Sequence, residues 1–241
     1  MRGTEVSVFL FIYANVSSHS LNLAFDHKLF FMTEGFIKPQ QQRSRQTSAR
    51  LIAATLKALE EFGLEGTTIP RIAKMAGTAP ASVYRRFRDR NALYRVALLE
   101  EIERLILADR SMDTSGARTL EGLAHLIVKD TLQQYRLRPG FMRAMTRFVE
   151  TDTDEEFRKR AMQSITSGYE HLAGLVLAHR ARIQHRDPKK AVLFALLTMA
   201  TLVEVRELSE VSVWKELSRA TDKQFIAEVT KNFLGYLLYP A

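Results

Sequence analysis

The stretch Thr68–Tyr94, TIPRIAKMAGTAPASVYRRFRDRNALY, decides how the chain is read. Its spacing predicts two short helices joined by a tight turn. Thr68 is placed to cap the first helix, and Pro70 falls in its first turn, where a missing N–H costs little. Ile69, Ile72, Ala73 and Ala76 give that helix an apolar face. Gly77 ends it, because glycine enters left-handed backbone conformations without penalty. Pro80 suits the first turn of the second helix, on which Val83 and Phe87, four residues apart, point inward. Tyr84, Arg85, Arg86 and Arg88 are left outside. A helix–turn–helix has this form: a short exposed second helix for the major groove, flanked by cations for phosphates. A helical hairpin with a solvated basic face is the bland alternative, but turn, caps and charge agree on the first reading.

Thr68, Ile72, Ala73, Ala76, Gly77, Val83, Tyr84, Phe87, Arg90, Ala92 and Leu93 together resemble the tetracycline-repressor (TetR) family. The resemblance covers residues 48–97. It implies a dimeric transcription regulator, usually a repressor, released from DNA by a small ligand held in a variable C-terminal domain. Three positions depart from the pattern. Ala79 stands where a capping Ser or Thr is common, so that cap is weaker or moves to Thr78. Arg90 replaces the usual Lys, keeping the charge with a different donor geometry. Asn91 stands where an acid is common.

Composition narrows the classes. In 241 residues there is no cysteine, which excludes disulfides, Cys-ligated zinc and thiol catalysis and fits a cytoplasmic protein. The formal net charge is +8, which points to a polyanionic partner. The excess is local: between Arg43 and Arg95 eleven Lys and Arg stand against Glu60, Glu61, Glu65 and Asp89. A membrane-surface protein needs a long amphipathic helix with cations on its polar face, and this segment lacks one.

The first residues read differently from the rest. Val6–Val16 carries no charge but is too short to span a bilayer, which takes about 20 residues. Glu5 and the lack of a small-x-small cleavage site argue against a signal peptide. Residues 1–43 are expected to be an extension, with translation starting at Met32 or the leading residues disordered; an extra packed element and a targeting segment are the alternatives.

Downstream, the pattern is helical throughout. Ser48–Phe62 carries a 3.6-period stripe of Leu51, Ile52, Thr55, Leu56, Leu59 and Phe62 and ends at Gly63. A helix capped by Asp89 or Asn91 runs to about Ala108, and Asp109–Arg118 reads as a boundary. Helices follow over Leu120–Leu137, Phe141–Val149, a long segment from about Asp154 to Ile183, Lys189–Leu208 and Thr221–Leu238. The last two are apolar nearly all round. The expected fold is all-α. A three-helix DNA-binding domain with its linking helix covers residues 44–108, and a helical ligand-binding and dimerisation domain covers 109–241.

The candidate DNA contacts are Arg45, Arg50, Thr68, Arg71, Thr78, Pro80, Ala81, Ser82, Tyr84, Arg85, Arg86 and Arg90. Ser82 and Arg85 are expected at base edges, Tyr84 and Arg90 at phosphates. Phe141, Met145, Phe148, Met162, Tyr169, Phe194 and Met199 could line an apolar effector pocket, although each taken singly reads as core. The resemblance implies a four-helix interface across a two-fold axis, and Leu196, Leu202, Val203, Phe225, Val229 and Phe233 are its candidates. No catalytic motif appears, and His171 and His179, eight apart, do not share a helix face closely enough for a metal site. No cofactor is called for. The expected partners are double-stranded DNA, a second copy of the chain and a small-molecule effector of unknown identity, with no membrane. An all-helical enzyme or interaction module with an incidental helix–turn–helix is the competing class.

Overall fold

The computed structural model describes residues 42–209, 211 and 213–239, so all of the extension expected over residues 1–43 lies outside it except residues 42 and 43, which begin the first helix. Every regular element among the described residues is helical. The helices are α1 (Gln42–Gly66), α2 (Ile69–Met75), α3 (Pro80–Tyr84), α4 (Arg90–Arg110) and α5 (Leu120–Leu137). After them come α6 (Pro139–Thr151), α7 (Glu155–Leu177), α8 (Pro188–Leu208), α9 (Val213–Leu217) and α10 (Asp222–Leu238). The described residues fall into two compact units. One is drawn from residues up to Arg104 together with Arg138–Ser164, the other from Leu105–Leu137 and Ile165 onward. The sequence division at residue 108 therefore does not coincide with these units, because α6 packs on α1.

In the first unit the helix–turn–helix forms as its sequence dictates. Thr68 caps α2 and accepts the Arg71 N–H. Gly77 turns the chain at φ +63°, a conformation that disfavours any Cβ. Ala79 precedes α3 with no side-chain cap, so the missing Ser or Thr is not replaced at that position. Leu51, Leu59, Ile72, Val83, Phe87 and Leu93 close the core, each fully buried. Burying such a side chain contributes about 1.5–3 kcal/mol. Asp89, not Asn91, caps α4 by accepting the Ala92 N–H at 2.8 Å.

Polar contacts then fasten α4, α6 and α7 within this unit. Arg95 donates to both carboxylate oxygens of Asp152 at 2.9 and 3.0 Å, and lies 3.2 Å from Asp154, with all three side chains buried. Arg138 donates to Glu101 at 2.7 Å and to the Leu56 carbonyl at 3.3 Å, with its guanidinium 4.4 Å from the centre of the Phe141 ring. Glu60 of α1 caps α6, accepting the N–H groups of Gly140 at 3.3 Å and Phe141 at 2.7 Å. Gly140 is held so close that a Cβ there would overlap the Glu60 carbonyl.

The second unit is apolar at heart. Helices α5, α8 and α10 pack on one another. Ile127, Tyr135, Val192, Leu196, Met199, Val203, Phe225, Val229, Phe233 and Leu237 are buried on these helices, and Leu172 and Val176 are buried on α7. Asp187 and Thr221 cap α8 and α10, the latter through a reciprocal capping box with Gln224. Two elements differ from expectation. Helix α7 stops at Leu177 rather than Ile183. The chain passes through a single 3₁₀ turn, Arg180–Arg182, and gives the Gln184 N–H to the Leu237 carbonyl of α10 at 2.9 Å. Helix α9, five residues long, has no counterpart among the expected helices, and Val213 and Leu217 on it are exposed.

Candidate nucleic-acid interface

The recognition surface is built on α3, only five residues long, with α1 supplying a second source of cations. Pro80, Ala81 and Tyr84 are exposed on α3, as is Arg85 just after its last residue, and Arg45 and Arg50 on α1. Tyr84 is 56% exposed although it is a large ring, and Val83, its neighbour, is wholly buried. Buried Val83 and Phe87 anchor the short helix; exposed Tyr84 is left for a partner.

Charge converges here. The pKa of Arg86 is lowered first by burial, then by the charges of Arg85 and Arg50. The charges of Arg85 and of Arg50 on α1 therefore both bear on Arg86, a positive field that a polyanion relieves. Arg86 donates to the Ser82 carbonyl at 2.8 Å, closing the C-terminal end of α3.

Not every candidate reaches this surface. Ser82, expected at a base edge, is buried, and its hydroxyl accepts from Arg85 at 2.8 Å. It orients Arg85 instead of facing outward. Arg71 is turned back: it donates to the Gly66 carbonyl and lies 4.0 Å over the Phe62 ring, bracing the corner between α1 and α2. Thr68 is exposed but its hydroxyl is used as the cap. Thr78 and Arg90 are half-buried, and Arg90 lies 5.4 Å from the Tyr94 ring centre.

Tyr94 was missed as a functional position and holds the surface in place. Wholly buried, it donates its hydroxyl to the Thr67 carbonyl just before the α2 cap. Burial above all pushes that hydroxyl up to about 12, so it stays a donor. Phe148 of α6 meets its ring edge-on at 5.5 Å and meets Phe157 at 5.4 Å. An aromatic after Ala-Leu on a helix has no signature that separates it from core. Further along α4, Glu100 is pushed up to about 8, first by burial and then by Glu103 and Glu101.

The effector and dimer candidates are redistributed. Phe141, Met145 and Phe148 are core of the first unit, with Met162 half-buried there. Tyr169 and Met199 are core of the second unit, whereas Phe194 is 55% exposed and packs 5.1 Å from the Tyr236 ring. Phe194 therefore lines no interior space. Of the interface candidates, Leu196, Val203, Phe225, Val229 and Phe233 are buried within the chain itself, and Leu202 half-buried. They hold α8 and α10 together rather than facing a second chain. The large apolar side chains that these helices expose are Phe194, Leu197 and Tyr236. Among the described residues no group of three or more His, Asp or Glu is placed to hold a metal ion, and no helix is long and apolar enough to cross a membrane.

Known proteins resemble the segment that carries these residues. The family of bacterial regulatory proteins called tetR matches residues 51–97, which span α1 to the start of α4. Over 80 residues the chain is 35% identical to the HTH-type transcriptional regulator RutR of Escherichia coli K12, covering 32% of this chain and 37% of that protein. The chain thus matches well under half the length of this curated relative. Solved structures share the fold over most of the chain. The fatty acid degradation regulator FadR from Bacillus halodurans covers 82% of this chain and 97% of its own at a TM-score of 0.57 and 18% identity. A transcriptional regulator from Rhodococcus sp. RHA1 covers 79% and 95% at a TM-score of 0.60 and 19% identity. At such identities the likeness carries the fold and leaves ligand and partner open. The segment that builds the recognition helix, residues 51–97, is thus similar to the tetR family of bacterial regulatory proteins.

Proposed function

We propose that the chain is a homodimeric transcriptional regulator, a repressor released from a palindromic operator by a small apolar or amphipathic effector. The observation that carries the DNA-binding part is the convergence of Arg50, Arg85 and Arg86 beside an exposed Tyr84 on a rigidly anchored α3. Pro80 and Ala81 keep the start of that helix slim, which suits close approach to base edges. Arg85, oriented by Ser82, is the base-reading candidate, and Tyr84 and Arg50 are the phosphate contacts.

The dimer reading rests on exposed Phe194 and Leu197 of α8 and Tyr236 of α10, with the buried candidates removed. The dimer would set the separation of two recognition helices, about 34–36 Å for half-sites one turn apart. Coupling runs through α6, whose first turn is capped by Glu60 of α1. An effector that prefers the arrangement with α6 displaced would carry α1 with it and weaken operator binding by the same factor that DNA weakens effector binding.

A gel shift against genomic fragments tests the reading. If a dimer neutralises about 6–10 phosphates, affinity falls about 10³–10⁵-fold between 50 and 200 mM salt. An Arg85→Ala, Tyr84→Ala double variant that binds its operator normally would refute the assigned surface. Sedimentation velocity of a Leu197→Glu, Tyr236→Glu variant tests the interface; a variant that is still dimeric would place it elsewhere.

A further inference from the structure

A second polar feature lies wholly within the α5–α8–α10 unit. A recess of about 350 Å³ is lined by Arg136, Arg206, Glu207, Ser218, Arg219, Ala220 and Phe225. Pockets for small molecules begin at about 300 Å³. None of the seven residues expected around an apolar effector borders it.

The charges around it do not balance. Arg136 donates to Glu207 at 3.0 and 3.1 Å and to Asp222 at 2.8 Å, so both carboxylates are already committed. Arg206 shares them: its Nη2 donates to Asp222 at 3.1 Å and to the Ala220 carbonyl at 3.2 Å. Its Nη1 is buried without a hydrogen-bond partner, and the guanidinium lies 4.1 Å over the Phe225 ring. Arg219, exposed, adds a third cation to the same recess. Three guanidiniums thus face two carboxylates, beside the N-terminus of α10, whose helix dipole also favours negative charge. An ion-pair cluster built only for stability needs neither the third arginine nor the recess.

We propose that this recess is a binding site for a small oxyanion, a phosphate or carboxylate group on a metabolite. Arg219 and the Ser218 hydroxyl make the contacts from the exposed side, and Arg206 supplies charge from beneath. Because Arg136, Arg206 and Asp222 lie on α5, α8 and α10, an anion held there joins the ends of all three helices. The site is independent of the DNA surface and of the apolar effector.

Titration calorimetry on the full chain without DNA tests it, so the outcome does not depend on operator binding. Inorganic phosphate and succinate are titrated separately at an ionic strength fixed with chloride. Saturable binding of one anion per chain is expected, and the probe that binds identifies the group. Arg219→Ala, an exposed change that leaves the fold alone, should weaken binding about tenfold or more, the scale of a lost charge-assisted hydrogen bond. Arg206→Lys, which keeps the charge and loses the fork, should weaken it as well. No saturable heat with either probe, or affinity unchanged in Arg219→Ala, would overturn the proposal.

Discussion

The two compact units are held together by different physics. In the unit carrying the recognition helix, segments far apart in sequence are fastened by directional polar contacts, buried for Arg95 to Asp152 and Asp154, half-buried for Arg138 to Glu101 and Glu60 to the first turn of α6. In the α5–α8–α10 unit the packing is mainly apolar; the Arg136–Asp222 and Arg182–Glu121 pairs lie at the surface, and Arg206 and Glu207 are half-buried at its edge. Apolar packing tolerates small shifts, whereas a buried charge pair works in one geometry only. A DNA reader needs its helix aimed, and the polar unit is the one that aims it.

The contrast breaks most visibly at Asp152. Replacing it with Ala takes two hydrogen bonds from the buried Arg95 guanidinium, leaves Asp154 as its remaining carboxylate, and should cost about 3 kcal/mol, read by denaturant unfolding. A loss under 1 kcal/mol would mean that the pair is not buried in solution. Next comes Gly140→Ala, which forces α6 off the Glu60 carbonyl. A loss of about 1–3 kcal/mol is expected, together with weakened operator binding although no DNA contact is touched; unchanged gel shifts would detach α6 from the recognition surface. Glu100 sharpens the comparison through pH. Its folded form holds a proton to about 8 against an ordinary 4.5. Its contribution is full below the ordinary value and is lost as pH rises through about 8. Thermal midpoints should therefore fall over that window, and Glu100→Gln should flatten the fall; identical curves would show Glu100 solvated and ionised. The smallest effect belongs to the apolar unit. Asp222→Ala removes a surface partner of Arg136 and should cost at most about 1 kcal/mol. A larger loss would show that this unit also depends on its ion pairs.

What could be read from residues alone follows the same division. Thr68, Gly77, Val83 and Phe87 act through neighbours within a turn or two, so local spacing finds them. The apolar character of α8 and α10 was equally plain, but periodicity says which side chains avoid water and not what covers them. Val229 and Phe233 look the same whether a partner chain or α5 closes over them, and their burial within one chain decides it. Arg95 and Asp152 are 57 residues apart, and nothing near either announces the other. Ser82 was misassigned for a related reason: on so short a helix its hydroxyl turned inward to accept from Arg85. Helix α9 is only five residues long, too short for a 3.6-residue period to register.

With no Cβ at Gly140, α6 sits closer to α1 than any side chain at that position would allow. That closeness is what brings the Gly140 and Phe141 N–H groups within reach of the Glu60 carboxylate. A displacement of α6 away from α1 therefore has a defined first cost, the loss of those two hydrogen bonds.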